Sequence, residues 1–103
     1  MKIYLAGKYS ANNILDCLNN IHDGIAASAR ILKAGHVPFC PFIDFLFQFF
    51  DKTLTIEDYY RYSMSFLEGW ADEIWVLPDW ENSEGTKKEI ARANELKIPV
   101  RYL

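Results

Sequence analysis

The sequence predicts an α/β fold: a small flavodoxin-like or Rossmann-like three-layer domain with a four-stranded parallel sheet in the order 2-1-3-4. Three observations carry this expectation. Short apolar runs at Lys2–Ala6, His36–Cys40, Glu73–Leu77 and Ile98–Leu103 alternate with longer segments of helical periodicity. Each crossover between neighbouring parallel strands then needs a helix and is right-handed. Strand, polar loop, glycine and helix follow one another over Ala71–Ala93, the layout in which open α/β sheets bind ligands at the carboxyl ends of their strands. With 103 residues the chain makes one domain, 1–103, large enough for a core of its own.

Lys2-Ile3-Tyr4-Leu5-Ala6 reads as a first strand buried on both faces. Gly7 at its carboxyl end lets a backbone or ligand come close, and Lys8 sets a cation beside it. Asn12 or Asn13 caps a long helix to about Ala34, with Ile14, Leu18, Ile21, Ile25, Ala29 and Leu32 as its apolar stripe. Gly35 takes the usual position after the helix end. His36–Cys40 forms the second strand. Pro41–Phe50 crowds Phe42, Phe45, Phe47, Phe49 and Phe50 together with Ile43 and Leu46. Such a surface is core, a subunit interface, or an aromatic wall that stacks on a planar ring.

Thr55 and Asp58 resemble a capping box that opens a helix from Ile56 to about Trp70, with Tyr59, Tyr62, Phe66 and Trp70 on one face. Glu73–Leu77 is the third strand, stopped by Pro78, which has no N–H for the ladder. The last helix starts near Thr86 and runs through Ile90, Ala93 and Leu96. Ile98–Leu103 closes the sheet, and Pro99 suits an edge.

A formal charge of −3 and a pI near 5.3 argue against a nucleic-acid polymer as partner. The apolar run Phe39–Phe50 is too short to span a bilayer and is interrupted by Asp44 and Gln48, so no membrane partner is expected. Cys17 and Cys40 make no disulfide framework and no signal peptide is visible, so a cytoplasmic location is expected. His36 and Cys40 have no further Cys or His cluster at ligand spacing, so neither a metal site nor a cofactor is expected.

The strand order reverses between the first and third strands, so Tyr4–Ser10 and Asp79–Glu89 face one crevice. The helix N-terminus adds unpaired N–H groups suited to an anion. Glu89 supplies a carboxylate in the first turn or so of that helix, and Tyr4 a phenol placed to hold it. A carboxylate beside a planar aromatic pocket, with no Cys or Ser triad, suits attack on the anomeric carbon of a sugar. A solvated Glu that complements the helix dipole is the alternative reading of the same residue.

Ile3-Tyr4-Leu5-Ala6-Gly7, Ala34-Gly35, Ala71-Asp72-Glu73-Ile74 and Ser83-Glu84-Gly85-Thr86-Lys87-Lys88-Glu89-Ile90-Ala91-Arg92-Ala93 together resemble the nucleoside 2-deoxyribosyltransferase superfamily over nearly the whole chain. The resemblance implies a flavodoxin-like fold, Glu89 as the nucleophile that closes a Gly-Thr-x-x-Glu-type motif, and Tyr4 as the residue that orients it. Substrate contacts are expected at Gly7, Lys8, Ser83, Gly85 and Thr86. Six residues before the nucleophile the transferases acting on free nucleosides carry an acid. Ser83 stands there instead, as in the branch that hydrolyses deoxynucleoside 5′-monophosphates, where a hydroxyl donates to the phosphate.

The superfamily's base-side Asp, eight residues before the Asp that opens the third strand, falls here on Met64. Asp79 or a proton carried by the substrate takes over that role, or the activity is altered or absent. The expected function is cleavage or transfer of the N-glycosidic bond of a 2′-deoxynucleoside or its 5′-monophosphate through a glycosyl-enzyme ester on Glu89. The alternative is a non-catalytic nucleotide-binding module of the same fold, favoured by the missing Asp. Members of the superfamily assemble as dimers or larger, with a neighbour helping to close the site. A homodimer at least is therefore expected, through the Phe39–Phe50 segment or the Tyr59–Trp70 helix face.

Overall fold

The computed structural model describes residues 1–103. Four strands, β1 (Lys2–Ala6), β2 (Val37–Phe39), β3 (Glu73–Val76) and β4 (Val100–Tyr102), form one parallel sheet in the expected order β2-β1-β3-β4. Three α-helices, α1 (Ile14–Lys33), α2 (Ile56–Gly69) and α3 (Glu84–Glu95), connect them. Two 3-10 helices complete the chain, at Pro41–Phe49 and Trp80–Asn82. No helix is long and apolar enough to cross a membrane.

Strand side chains alternate between faces, and β1 is central, so it feeds both halves of the core. Ile3 and Leu5 pack with Ile21, Ala27, Ile31, Phe42 and Trp75 on the α1 side. Tyr4 and Ala6 point the other way, among Met64 and Leu67 of α2 and Ile90 and Ala93 of α3. The strands are slightly shorter than the apolar runs. Leu77 still donates its N–H to the Ala6 carbonyl at 2.9 Å, but Pro78 cannot extend the ladder.

The helix ends follow side-chain chemistry. Asn13 caps α1 by accepting from the Asp16 N–H at 2.9 Å. Thr55 and Asp58 form both halves of a capping box on α2. Gly35, at φ 95°, ends α1 in the left-handed conformation that glycine adopts without strain.

Two features depart from the expected pattern. The apolar stripe foreseen on α1 is not its buried face: of those six positions only Ile21 is buried, and Ile14, Leu18, Ile25 and Leu32 lie exposed. The buried face is instead Ile21, Gly24, Ala27, Ser28 and Ile31. Small residues stand at its centre, between Ile21 and Ile31, because the Phe42 ring lies against Gly24, where a Cβ would sit 2.3–2.6 Å from three ring carbons. A larger side chain at position 24 would push the ring away.

The second departure is the start of α3. Ser83 Oγ accepts from the Thr86 N–H, so Ser83 is the cap and the helix begins at Glu84, two residues earlier than expected. Gly85 therefore sits inside the first turn, and a Cβ there would meet nothing within 4 Å. Packing therefore does not require a glycine at this position.

Gly24→Ala should report the α1 contact. On helix propensity alone alanine gains about 1 kcal/mol. Against the buried Phe42 ring it overpacks, so a net loss of roughly 1–3 kcal/mol in denaturant unfolding is expected. A more stable variant would mean that the ring yields freely.

Candidate active site

A cavity of about 400 Å³ opens at the carboxyl end of β1, on the side where α2 and α3 pack. That volume suits one small organic molecule. Four parts of the chain build its wall. β1 and the loop after it contribute Tyr4, Gly7, Tyr9 and Ser10. The Pro41–Phe49 helix contributes Phe42, Asp44, Phe45 and Gln48. Ile56, Tyr59, Tyr60 and Ser63, at the spacing of one helix face, come from α2. Gly85 and Glu89 come from α3.

Glu89 lies in the second turn of α3, because the helix starts at Glu84. It is beyond the turn in which a helix dipole assists a carboxylate. Burial dominates, and pushes the Glu89 carboxyl up from its ordinary 4.5 to about 7; the Tyr4 hydroxyl acts in the opposite direction. The Tyr4 phenol is raised well above its ordinary value, first by burial and then by the Glu89 charge. The two groups are within each other's reach, yet Tyr4 Oη and Glu89 Oε2 are both buried with no hydrogen bond of regular geometry. Leaving two buried polar atoms unpartnered is costly and rare, so the pair stands ready for a ligand atom. Tyr59 Oη is a third such atom in the same wall.

Glu89, Tyr4, Gly7 and Gly85 thus meet in one cavity. The other expected residues do not belong to its wall. Lys8 Nζ pairs with Asp79 Oδ2 at 3.6 Å, and Asp79 is mostly exposed in a left-handed turn at φ 71°. Ser83 caps α3, and its Oγ also accepts from Thr86 Oγ1 at 2.9 Å. Thr86 is buried against it. Met64 turns into the core, while its neighbour Ser63 faces the cavity.

Sequence reasoning missed Asp44 as a site residue. It is 7% exposed, lines the cavity and has neither a hydrogen bond nor an ion pair, and burial pushes its carboxyl up to about 6. The signal was available: a lone acid within a run of phenylalanines is either partnered or functional. Asp44 and Glu89 are the charged residues of the wall, which contains no Lys, Arg or His. No group of three His, Cys, Asp or Glu side chains is placed to hold a metal ion.

Fold and site together define a small three-layer α/β protein with an aromatic cavity and two buried acids at the carboxyl edge of its sheet. The chain belongs to the DUF4406 family, a domain of unknown function, whose family model matches residues 1–102. No curated protein matches the sequence.

The burial of Glu89 has a measurable consequence for stability. In the unfolded chain it ionises near 4.5; in the folded chain it keeps its proton to about 7. Between those values the folded state binds the extra proton, so stability falls as pH rises. Glu89→Gln removes that loss. Its advantage over the wild type should be on the order of 2 kcal/mol at pH 8 and vanish by pH 4.5 in thermal melts. Identical melts at pH 8 would put Glu89 in water.

Proposed function

We propose that this cavity binds a 2′-deoxynucleoside and that Glu89 cleaves its N-glycosidic bond. The observation that carries this reading is Glu89 itself: a buried carboxyl with an unpartnered oxygen, beside an unpartnered tyrosine hydroxyl, in a cavity of aromatic rings. Ionised Glu89 attacks C1′, the C1′–N electron pair leaves with the base, and a glycosyl ester remains on the carboxylate. Water then releases the sugar, or a second base accepts it. Tyr4 is a positioning residue that keeps the carboxylate in contact with the anomeric carbon. The resemblance to nucleoside 2-deoxyribosyltransferases supports the same assignment.

Between the nucleoside and its 5′-monophosphate, the wall favours the nucleoside. It has two acids and no basic side chain, Lys8 is paired with Asp79, and Ser83 lies outside it. The competing reading is a binding module without turnover, favoured by Met64 at the superfamily's acid position.

Incubating the protein with the four 2′-deoxynucleosides and their 5′-monophosphates, with free base as readout, tests both. Nucleosides should bind roughly tenfold better than monophosphates, an effect of like charge in a low-dielectric cavity. The reverse order would restore a phosphate site at the α3 N-terminus. Glu89→Gln should bind and not turn over, because an amide cannot form the ester. Tyr4→Phe should lower kcat/KM on the acidic side of the pH profile and leave its alkaline side unchanged, since the phenol lowers Glu89. Thermal stabilisation by a nucleoside without base release would favour the binding module.

Assembly is part of the proposal. Phe39, Tyr62, Phe66 and Trp70 form an aromatic cluster within the chain, with Phe39 stacked on Phe66 at 4.0 Å, so the α2 face is largely satisfied. Phe49, Phe50 and Ile56 remain in water, Phe50 at 93% exposure, and Ile56 also belongs to the cavity wall. A second copy seated there would bury apolar surface and narrow the mouth. Light scattering should give a dimer near 24 kDa, twice the 12.0 kDa chain, and Phe50→Asp should return it to the monomer. A wild-type monomer at micromolar concentration would leave these side chains without a partner copy.

A further inference from the structure

We propose that Asp44 is the acid that gives its proton to the departing base and later takes one from the attacking water. The inference rests on the reading of Glu89 as nucleophile. It stands first on geometry. Asp44 is nine-tenths buried, unpartnered, and set in the wall of the same cavity, on a different element from Glu89. Asp79, the residue expected to stand in at the missing acid position, is exposed, paired with Lys8 and outside the wall. Met64 is in the core. Asp44 is therefore the remaining carboxyl that a molecule bound against Glu89 can touch.

Burial lifts Asp44, which stands on the Pro41–Phe49 helix while Glu89 stands on α3, so two elements bring one carboxyl each to the cavity. Two separated carboxyls, one attacking the sugar and one serving the leaving group, are the standard division of labour in glycosidic cleavage. The surroundings of Asp44 agree. Gln48 lies one turn further along the same segment, and the rings of Tyr9, Phe45 and Tyr59 share the wall, so a planar base has both stacking surfaces and a polar edge. The titratable groups facing Asp44 are the phenols of Tyr4 on β1, Tyr9 in the following loop and Tyr62 on α2, and Glu89 on α3 shares the wall. None of them is a cation that would strip its proton.

The step balances as follows. Glu89 forms its C1′–O bond while the C1′–N bond breaks toward the base nitrogen, and the Asp44 proton moves to the base. Asp44 is then a carboxylate. It takes a proton from water, whose hydroxyl joins C1′ as the ester bond breaks and Glu89 is regenerated. The net reaction is nucleoside plus water to free base plus deoxyribose. The productive form has Glu89 ionised and Asp44 protonated. Asp44, near 6, ionises before Glu89, near 7, so this is the minor of the two singly protonated forms; its population, and with it the rate, should peak between those values and fall on both sides.

The test is kcat/KM against pH for wild type and Asp44→Asn, on whichever of the four 2′-deoxynucleosides is cleaved fastest. The wild type should give a bell. Asp44→Asn should be at least 100-fold slower at the optimum, and its rate should rise to a plateau with the alkaline fall gone. A second measurement varies the substrate. N7-methyl-2′-deoxyguanosine releases its base without an added proton, so the loss caused by Asp44→Asn should be far smaller on it than on 2′-deoxyguanosine at the same pH. If Asp44→Asn keeps the wild-type rate, or keeps the alkaline fall, Asp44 has no such role and Glu89 still stands. If the wild type releases base from no nucleoside, the glycosidic reading falls and this inference with it.

Discussion

The Phe42 ring against Gly24 is the contact on which the rest of the molecule depends. It seats the Pro41–Phe49 helix on α1, and it chooses which face of α1 turns inward. The same ring is part of the cavity wall, two residues before Asp44. Gly7 meets the Cζ end of the same ring, where an added Cβ would lie 3.1 Å from Phe42 Cζ and 2.8 Å from Leu77 Cδ1. A ring held between two glycines cannot shift without filling the cavity or lifting the helix. Cores at native density transmit such displacements directly.

Electrostatically the cavity is defined by what it lacks. A buried carboxyl normally finds a cation or several N–H donors, and its pKa then falls. Asp44 and Glu89 find neither, so burial raises both. Of the nearby cations, Lys8 pairs with Asp79, Lys87 with Glu84 and Arg92 with Glu68 and Glu95, while Lys88 lies over the Tyr60 ring of the cavity wall. The exposed pairs among these add little stability. What they leave behind is a cavity whose own charges are available to a ligand.

Much of this was legible in the sequence, and the reasons are specific. Apolar β-prone runs punctuated by Pro78 and Gly35 locate the strands, and the right-handed crossover rule then limits their order. Side-chain caps locate α2, because Thr55 and Asp58 satisfy each other locally. The α3 start was placed late because Gly85 reads as a loop residue, whereas Ser83 alone is enough to cap. The spacing of large apolar residues does not reveal the buried face of α1, because three of its five positions are Gly24, Ala27 and Ser28. Tyr4, Gly7 and Glu89 were brought together by topology alone. Asp44 was not, because nothing local says that a 3-10 helix will fold back over the end of β1.

The two halves of the site are thus built by different means. Tyr4 and Glu89 sit on regular elements, a central strand and a helix packed on it, so their separation follows from the α/β layering itself. Asp44 sits on an irregular helix whose position depends on one close contact. Rigid elements hold a reacting carboxylate to within fractions of an ångström, whereas a segment beside the sheet can vary in length and shape without disturbing the core. A chain of this architecture can therefore keep one carboxylate in place while the second is supplied from elsewhere. That separation explains how a second carboxyl reaches the cavity from Asp44 while Met64 of α2 stays in the core.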